Sequence, residues 1–88
     1  MSQRIQYDKA KAEALAACRM TAQQIADVLD IDFDVMKQDK DQLDEFYVAI
    51  RKGRARGEAE LRTVLYKLAR EGEAFALREL LKVEKNQE

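Results

Sequence analysis

Met20-Thr21-Ala22-Gln23-Gln24-Ile25-Ala26-Asp27-Val28-Leu29-Asp30-Ile31-Asp32-Phe33-Asp34-Val35-Met36 is the stretch that decides how this chain is read. Thr21 followed three residues later by Gln24 matches a capping box, in which each side chain accepts from the other residue's free backbone N–H, so a helix starts at Ala22. Ile25, Ala26 and Leu29 form its buried face, and Ala26 is small where the next helix must cross close by. Asp30 takes the turn position after that helix; aspartate is among the few residues that enter the left-handed region cheaply. The Asp32 side chain is placed to cap a third helix through Met36, extending to Asp39 at most. Two brief helices joined by so tight a turn have the spacing of a helix-turn-helix.

Upstream, Tyr7, Ala10, Ala14, Ala17 and Cys18 recur at helical spacing with Leu15 beside them, and Asp8 favours the positive end of a helix running to about Cys18. Cys18 falls on the buried face of that helix and reads as a small core residue. Downstream of Asp41 the rhythm changes. Leu43, Tyr47, Ile50, Gly57, Leu61, Val64 and Leu68 follow a four-three alternation interrupted only by Arg54, which is a heptad-like seam. One unbroken helix from Asp41 to Ala69 would span roughly 43 Å at about 1.5 Å per residue. A compact chain of this length has a radius of gyration of only about 12 Å. Either the helix bends at Gly53 and Gly57, or a second chain covers the seam; the GxxxG spacing of these two glycines also marks a close crossing. Lys67 and Arg70 precede Gly72, a helix end, and a last helix bearing Phe75, Ala76, Leu77, Leu80, Leu81 and Val83 folds back as a helical hairpin.

Composition agrees with this outline. Hydrophobic residues make up 47% of the 88 and charged residues 38%, with no proline and three glycines, which favours long helices and an all-α fold. The expected organisation is a helix-turn-helix region over residues 1–40 and a long helix plus C-terminal helix over 41–88, forming one compact unit. So short a chain buries a marginal core, and an oligomer is expected, with Leu43, Tyr47, Ile50, Leu61, Val64, Leu68, Leu77 and Leu81 as its seam.

The net charge of −1 conceals a mosaic of +1 over residues 1–29, −5 over 30–46, +5 over 47–70 and −2 over 71–88. The absence of histidine and the single Cys18 leave neither a zinc cluster nor a cysteine-histidine nucleophile, and Asp32 and Asp34 lack the glycine-punctuated loop of a calcium site. No enzyme activity, metal or cofactor is expected. No apolar run reaches the ~20 residues needed to cross a bilayer, and the N-terminus lacks a signal peptide's apolar core, so a cytoplasmic protein without a membrane partner is expected.

Leu15-Ala16-Ala17-Cys18-Arg19-Met20-Thr21, Ile25-Ala26-Asp27-Val28-Leu29-Asp30-Ile31, Arg51-Lys52-Gly53-Arg54-Ala55 and Leu65-Tyr66-Lys67-Leu68-Ala69-Arg70-Glu71-Gly72, followed by Ala76 and Leu80-Leu81, together resemble the helix-turn-helix region of phage DNA-packaging small terminase subunits and related prophage proteins. The resemblance covers roughly Leu15 to Lys82 and rests on short, degenerate motifs. It implies binding of double-stranded viral DNA, assembly into rings inside the bacterial host, and delivery of that DNA to a large terminase subunit. This chain departs from the pattern in two places. Asp30 stands where the turn usually has glycine, and the outward positions of the third helix are Asp32, Phe33, Asp34, Lys37, Gln38 and Asp41, three carboxylates against one ammonium.

Candidate DNA contacts are therefore Arg19 at the end of the first helix, Gln23, Lys37 and Gln38, and the basic run Arg51, Lys52 and Arg54. Lys37 and Gln38 can reach base edges, and glutamine can pair with adenine. The basic run, continued by Arg56 and Arg62, can contact phosphates or pair with the acidic block 30–46 of its own or a neighbouring chain. Summed over several heads, weak contacts would give an oligomer its affinity. Two other functions remain open: a helix-turn-helix-derived adaptor whose acidic third helix contacts a basic protein surface, and a small transcriptional regulator.

Overall fold

The computed structural model describes residues 4–86. Five helices follow one another: α1 (Lys9–Ala17), α2 (Ala22–Val28), α3 (Phe33–Met36), α4 (Lys40–Arg70) and α5 (Ala74–Asn86). The fold is all-α, as composition required, with no strand among the described residues. Asp41 to Ala69 lies within one continuous helix. No helix is long and apolar enough to cross a membrane among the described residues.

The chain divides into two compact units, Met1–Gly57 and Glu58–Glu88. The division does not fall at residue 40, because Phe46, Ala49 and Ile50 of α4 are buried and complete the first unit's core. In that unit Ala12, Ala16, Ile25, Ala26, Ile31, Phe33, Met36, Phe46 and Ile50 pack into one cluster. Phe46 is the hub, with Tyr7 edge-on at 5.5 Å between ring centroids and Phe33 tilted at 5.8 Å.

Local rules place the short helices. Asp8 caps α1 by accepting from the Lys11 N–H, and Asp32 caps α3 by accepting from Val35. The Thr21–Gln24 capping box is complete in both directions. Three of the turns reverse through a left-handed residue, Arg19 at φ 65°, Asp30 at φ 56° and Gly72 at φ 93°, while the connection from α3 to α4 has none. At all three the next N–H returns to a carbonyl five residues back, as in Met20 to Leu15, Ile31 to Ala26 and Glu73 to Leu68. This is the Schellman closure of a helix end. The turn role read for Asp30 is the role it plays.

Several expectations are corrected. The buried face of α1 is Ala12 and Ala16, not Ala10 and Ala14, and Cys18 is exposed. Both follow from the crossing with α4. A Cβ on Gly53 would overlap the Glu13 carbonyl oxygen and lie 2.8 Å from the Ala16 Cβ, and one on Gly57 would lie 2.9 Å from the Ala17 Cα. The α1 backbone thus rests on a groove that only glycine leaves open, which fixes the phase of α1, while Cys18 has already left the helix as its C-cap. Gly53 and Gly57 mark a close crossing.

Phe33, assigned outward from the sequence, is buried. It is the first residue of a single helical turn and points onto Phe46. Helix α3 ends at Met36, and Asp39 instead caps α4 by accepting from the Gln42 N–H.

The expected seam is not one continuous surface. Ile50 is buried in the first unit's own core and Leu43 packs against it, whereas Tyr47 is exposed. In the second unit Leu65, Ala76 and Leu80 form the core of a helical hairpin, with Leu68 and Ala69 packed on it. Leu61, Val64, Leu77 and Leu81 are exposed there, along with Tyr66 and Phe75.

Candidate nucleic-acid interface

Of the three groups of candidate contacts, the α3 group is the most altered by the structure. Helix α3 has four residues, about 6 Å of axis. Asp32 spends its carboxylate on capping, and Asp34 lies 3.8 Å from the Lys37 ammonium, which also sits 4.7 Å above the Phe33 ring. Lys37 is thus held by its own turn. Gln38 is exposed and lines a shallow groove of about 400 Å³ with Ile5, Val35, Asp39, Lys40, Asp41 and Gln42.

At the α1–α2 corner, Arg19 is exposed with its backbone closing α1, and the Gln23 amide donates to Asp27 at 2.9 Å along α2. Arg54 reaches this corner from α4: its guanidinium donates to the Met20 carbonyl at 3.1 Å. Part of its role is therefore to tie the turn between α1 and α2 to the long helix.

The basic run is not one patch. At 3.6 residues per turn, Arg51 and Arg54 lie about 60° apart on one flank of α4, while Lys52 is turned about 100° from Arg51 and about 160° from Arg54. Lys52 shares the opposite flank with Arg56, which lies 3.9 Å from Glu13. Arg51 and Lys52 are exposed and make no ion pair among the described residues. Their helical neighbours explain this: positions three and four residues away are Tyr47, Val48 and Ala49 on one side and Arg54, Ala55 and Arg56 on the other. None carries a carboxylate. The acidic block has other partners, Glu45 pairing with Arg4 and Asp34 with Lys37.

Sequence reasoning missed the strap formed by residues 4–7. The Gln42 side chain accepts from the Ile5 N–H at 3.1 Å and donates to the Ile5 carbonyl at 2.6 Å, satisfying both backbone groups as a neighbouring strand would. Gln42 is only 3% exposed. A signal existed, since Gln42 continues the core-facing row of Phe46, Ala49 and Gly53 and is its sole polar member. Tyr7 in the strap has its phenol pushed above the ordinary pKa, first by burial and then by the nearby Glu45 carboxylate, with Arg4 opposing. No cluster of three potential metal ligands exists among the described residues. Comparison with family models, curated proteins and solved structures yields no match.

Proposed function

We propose that this protein is a helix-turn-helix DNA-binding module of the small terminase type, which acts as an oligomer in DNA packaging and engages a large subunit. The observation that carries the reading is the state of the basic run on α4. Seven carboxylates lie in residues 30–46 of the same chain, yet Arg51 and Lys52 remain exposed and without an ion pair among the described residues. Self-neutralisation, the ordinary fate of such a run, reaches Arg56 and Arg62, which pair with Glu13 and Glu58, but not Arg51 or Lys52. Polyanionic duplex DNA is the ligand that an unneutralised basic helix flank of this kind fits. The reading also draws on the two short helices, which meet through a left-handed Asp30 above a shared core. Oligomerisation draws support from the second unit, whose core is three buried residues while Leu61, Val64, Leu77 and Leu81 face outward.

A labelled duplex titrated with the full chain across a salt series, with light scattering on the same sample, tests this. Binding that weakens steeply with salt and is lost when the basic run Arg51, Lys52 and Arg54 is neutralised as a whole is expected, from a species larger than one chain. Absence of binding at 50 mM salt would remove the DNA function.

One observation favours a second reading, the adaptor. Asp39 and Asp41 line the groove that includes the 48% exposed Val35, and Asp32 and Asp34 are exposed at the start of the same short helix, a surface suited to a basic protein segment. Under that reading the chain captures a basic peptide and shifts no DNA.

A further inference from the structure

Resting on the DNA-binding reading above, we propose that the duplex is gripped through its phosphates by the Tyr47–Arg51–Arg54 row of α4, without sequence readout by the α3 turn. In the usual helix-turn-helix arrangement a recognition helix lies in the major groove, which is about 12 Å wide, and presents several side chains to base edges. Helix α3 has one turn to offer. Its capping Asp32 and its Asp34 face solvent, and its cation Lys37 is engaged by Asp34 and by the Phe33 ring. Such a surface meets phosphate with carboxylates.

The α4 row has the opposite character. Tyr47, Arg51 and Arg54 follow one another at spacings of four and three residues and are all exposed. No carboxylate stands one helical turn from Arg51 in either direction, whereas the Lys52–Arg56 flank carries Glu13 against Arg56. Arg54 is held in place by its bond to the Met20 carbonyl. One of five guanidinium donors is used there, so the fork is oriented before a ligand arrives and the rest remain for an anion. Arg51 and Arg54 are about 4.5 Å apart along the helix axis, close to the ~3.4 Å axial spacing of phosphates along one strand. The Tyr47 hydroxyl adds a neutral donor of the kind that contacts phosphates. Contacts of this class position a protein on DNA and carry no sequence information.

The test is fluorescence anisotropy of the full chain on several labelled duplexes of unrelated sequence, between 50 and 200 mM salt. Arg51→Gln is expected to flatten log K against log salt by about 0.9 per engaged subunit, so that the affinity lost over this salt range shrinks about 3.5-fold, equally on every duplex. Arg51→Lys keeps the slope, while Lys52→Gln, Lys37→Ala and Gln38→Ala leave it unchanged. Far-UV circular dichroism confirms folding of each variant, all of these positions being exposed. If Lys52→Gln flattens the slope as much as Arg51→Gln, or if Lys37→Ala or Gln38→Ala weakens one duplex selectively while Arg51→Gln does nothing, the proposal is overturned and the DNA-binding reading survives. If the unaltered chain binds no duplex at 50 mM salt, both fall.

Discussion

Alanine at Gly53 puts two well-characterised effects in opposition, and the crossing of α1 over α4 decides between them. In an exposed helix interior, Gly→Ala stabilises by about 0.8–1.0 kcal/mol, because glycine has more backbone freedom to lose on folding. At Gly53 the added methyl would meet the Glu13 carbonyl oxygen and lie 2.8 Å from the Ala16 Cβ, where carbon atoms prefer about 3.5–4.0 Å. The obstacles are backbone and Cβ atoms, which have no rotamer to escape into, so α1 must retreat by about 1 Å. A gap of that size forfeits a quarter to a half of the dispersion energy of the contacts it opens. Ala12 and Ala16, both fully buried, would lose their fit against α4, and overpacking of this kind costs about 1–3 kcal/mol. The gain in helix propensity offsets only part of this. Gly53→Ala should therefore destabilise by about 1–2 kcal/mol, equivalent to roughly 4–8 °C in Tm per kcal/mol for a chain of this size. Urea unfolding followed by circular dichroism reads the sign directly. Gly57→Ala, with the Ala17 backbone as obstacle, should act alike, and the double variant should lose less than the sum, because α1 moves off both sites together. Adding Ala16→Gly to Gly53→Ala should recover part of the loss. If Gly53→Ala raised stability, the close crossing of α1 over Gly53 would be refuted.

At the left-handed Asp30, Asp30→Gly should stabilise by up to about 1 kcal/mol, while Asp30→Val should destabilise by at least as much, since a β-branched residue resists positive φ; the urea midpoint again reports both. Gln42→Leu keeps the volume but strands the Ile5 N–H and carbonyl, a cost of about 1–3 kcal/mol if they stay buried, and hydrogen exchange at Ile5 should speed up markedly. Burial raises the Tyr7 phenol above its unfolded pKa, so the folded state holds its proton more tightly than the unfolded state does. The resulting stability is complete below pH 10 and fades as pH rises from there through the folded pKa. A pH series of unfolding curves should show that alkaline loss in the parent chain and a smaller one in Tyr7→Phe.

Much of what depended on a residue and its near neighbours was legible in the sequence, although the Asp39 cap of α4 and the left-handed turn at Arg19 were not. The Thr21–Gln24 box, the Asp32 cap, the Asp30 turn and the Gly72 stop are local chemistry and occur as read, and Asp8, read only as favouring the positive end of α1, proves to be its N-cap. Phase was harder. Helix α1 is nearly uniform in alanine, so its periodicity fits more than one face, and the groove at Gly53 and Gly57, far away in the chain, chose Ala12 and Ala16. The heptad seam is divided for a related reason. A three-four spacing records which residues share a stripe but not who covers it, and Ile50 was taken by the first unit's own core. Arg54 was chosen for its charge, yet the Met20 carbonyl it bonds lies 34 residues earlier. Propensity and pattern do not report such a contact.

The two units differ in how nearly complete they are, and that difference bears on how the protein would work. The first gathers eight buried residues around Phe46 and closes its helix ends with caps and left-handed turns. The second has three buried residues, two of them leucines. Segments below about 40 residues usually need a disulfide, a metal or a partner chain to be stable. Cys18 is the chain's one cysteine and lies in the other unit, and no group of three potential metal ligands exists among the described residues; a partner chain is the device that the proposed oligomer would supply. Charge permits that partner to be a second copy. Residues 58–88 carry seven acidic and six basic groups, a near balance that allows like hairpins to approach. Residues 47–57 carry four basic groups and no acid, so like copies repel there, which fits the polyanion-binding surface proposed above. Under the proposed reading, self-association and anion binding fall on different parts of the chain, which is what summing several weak heads on one scaffold requires.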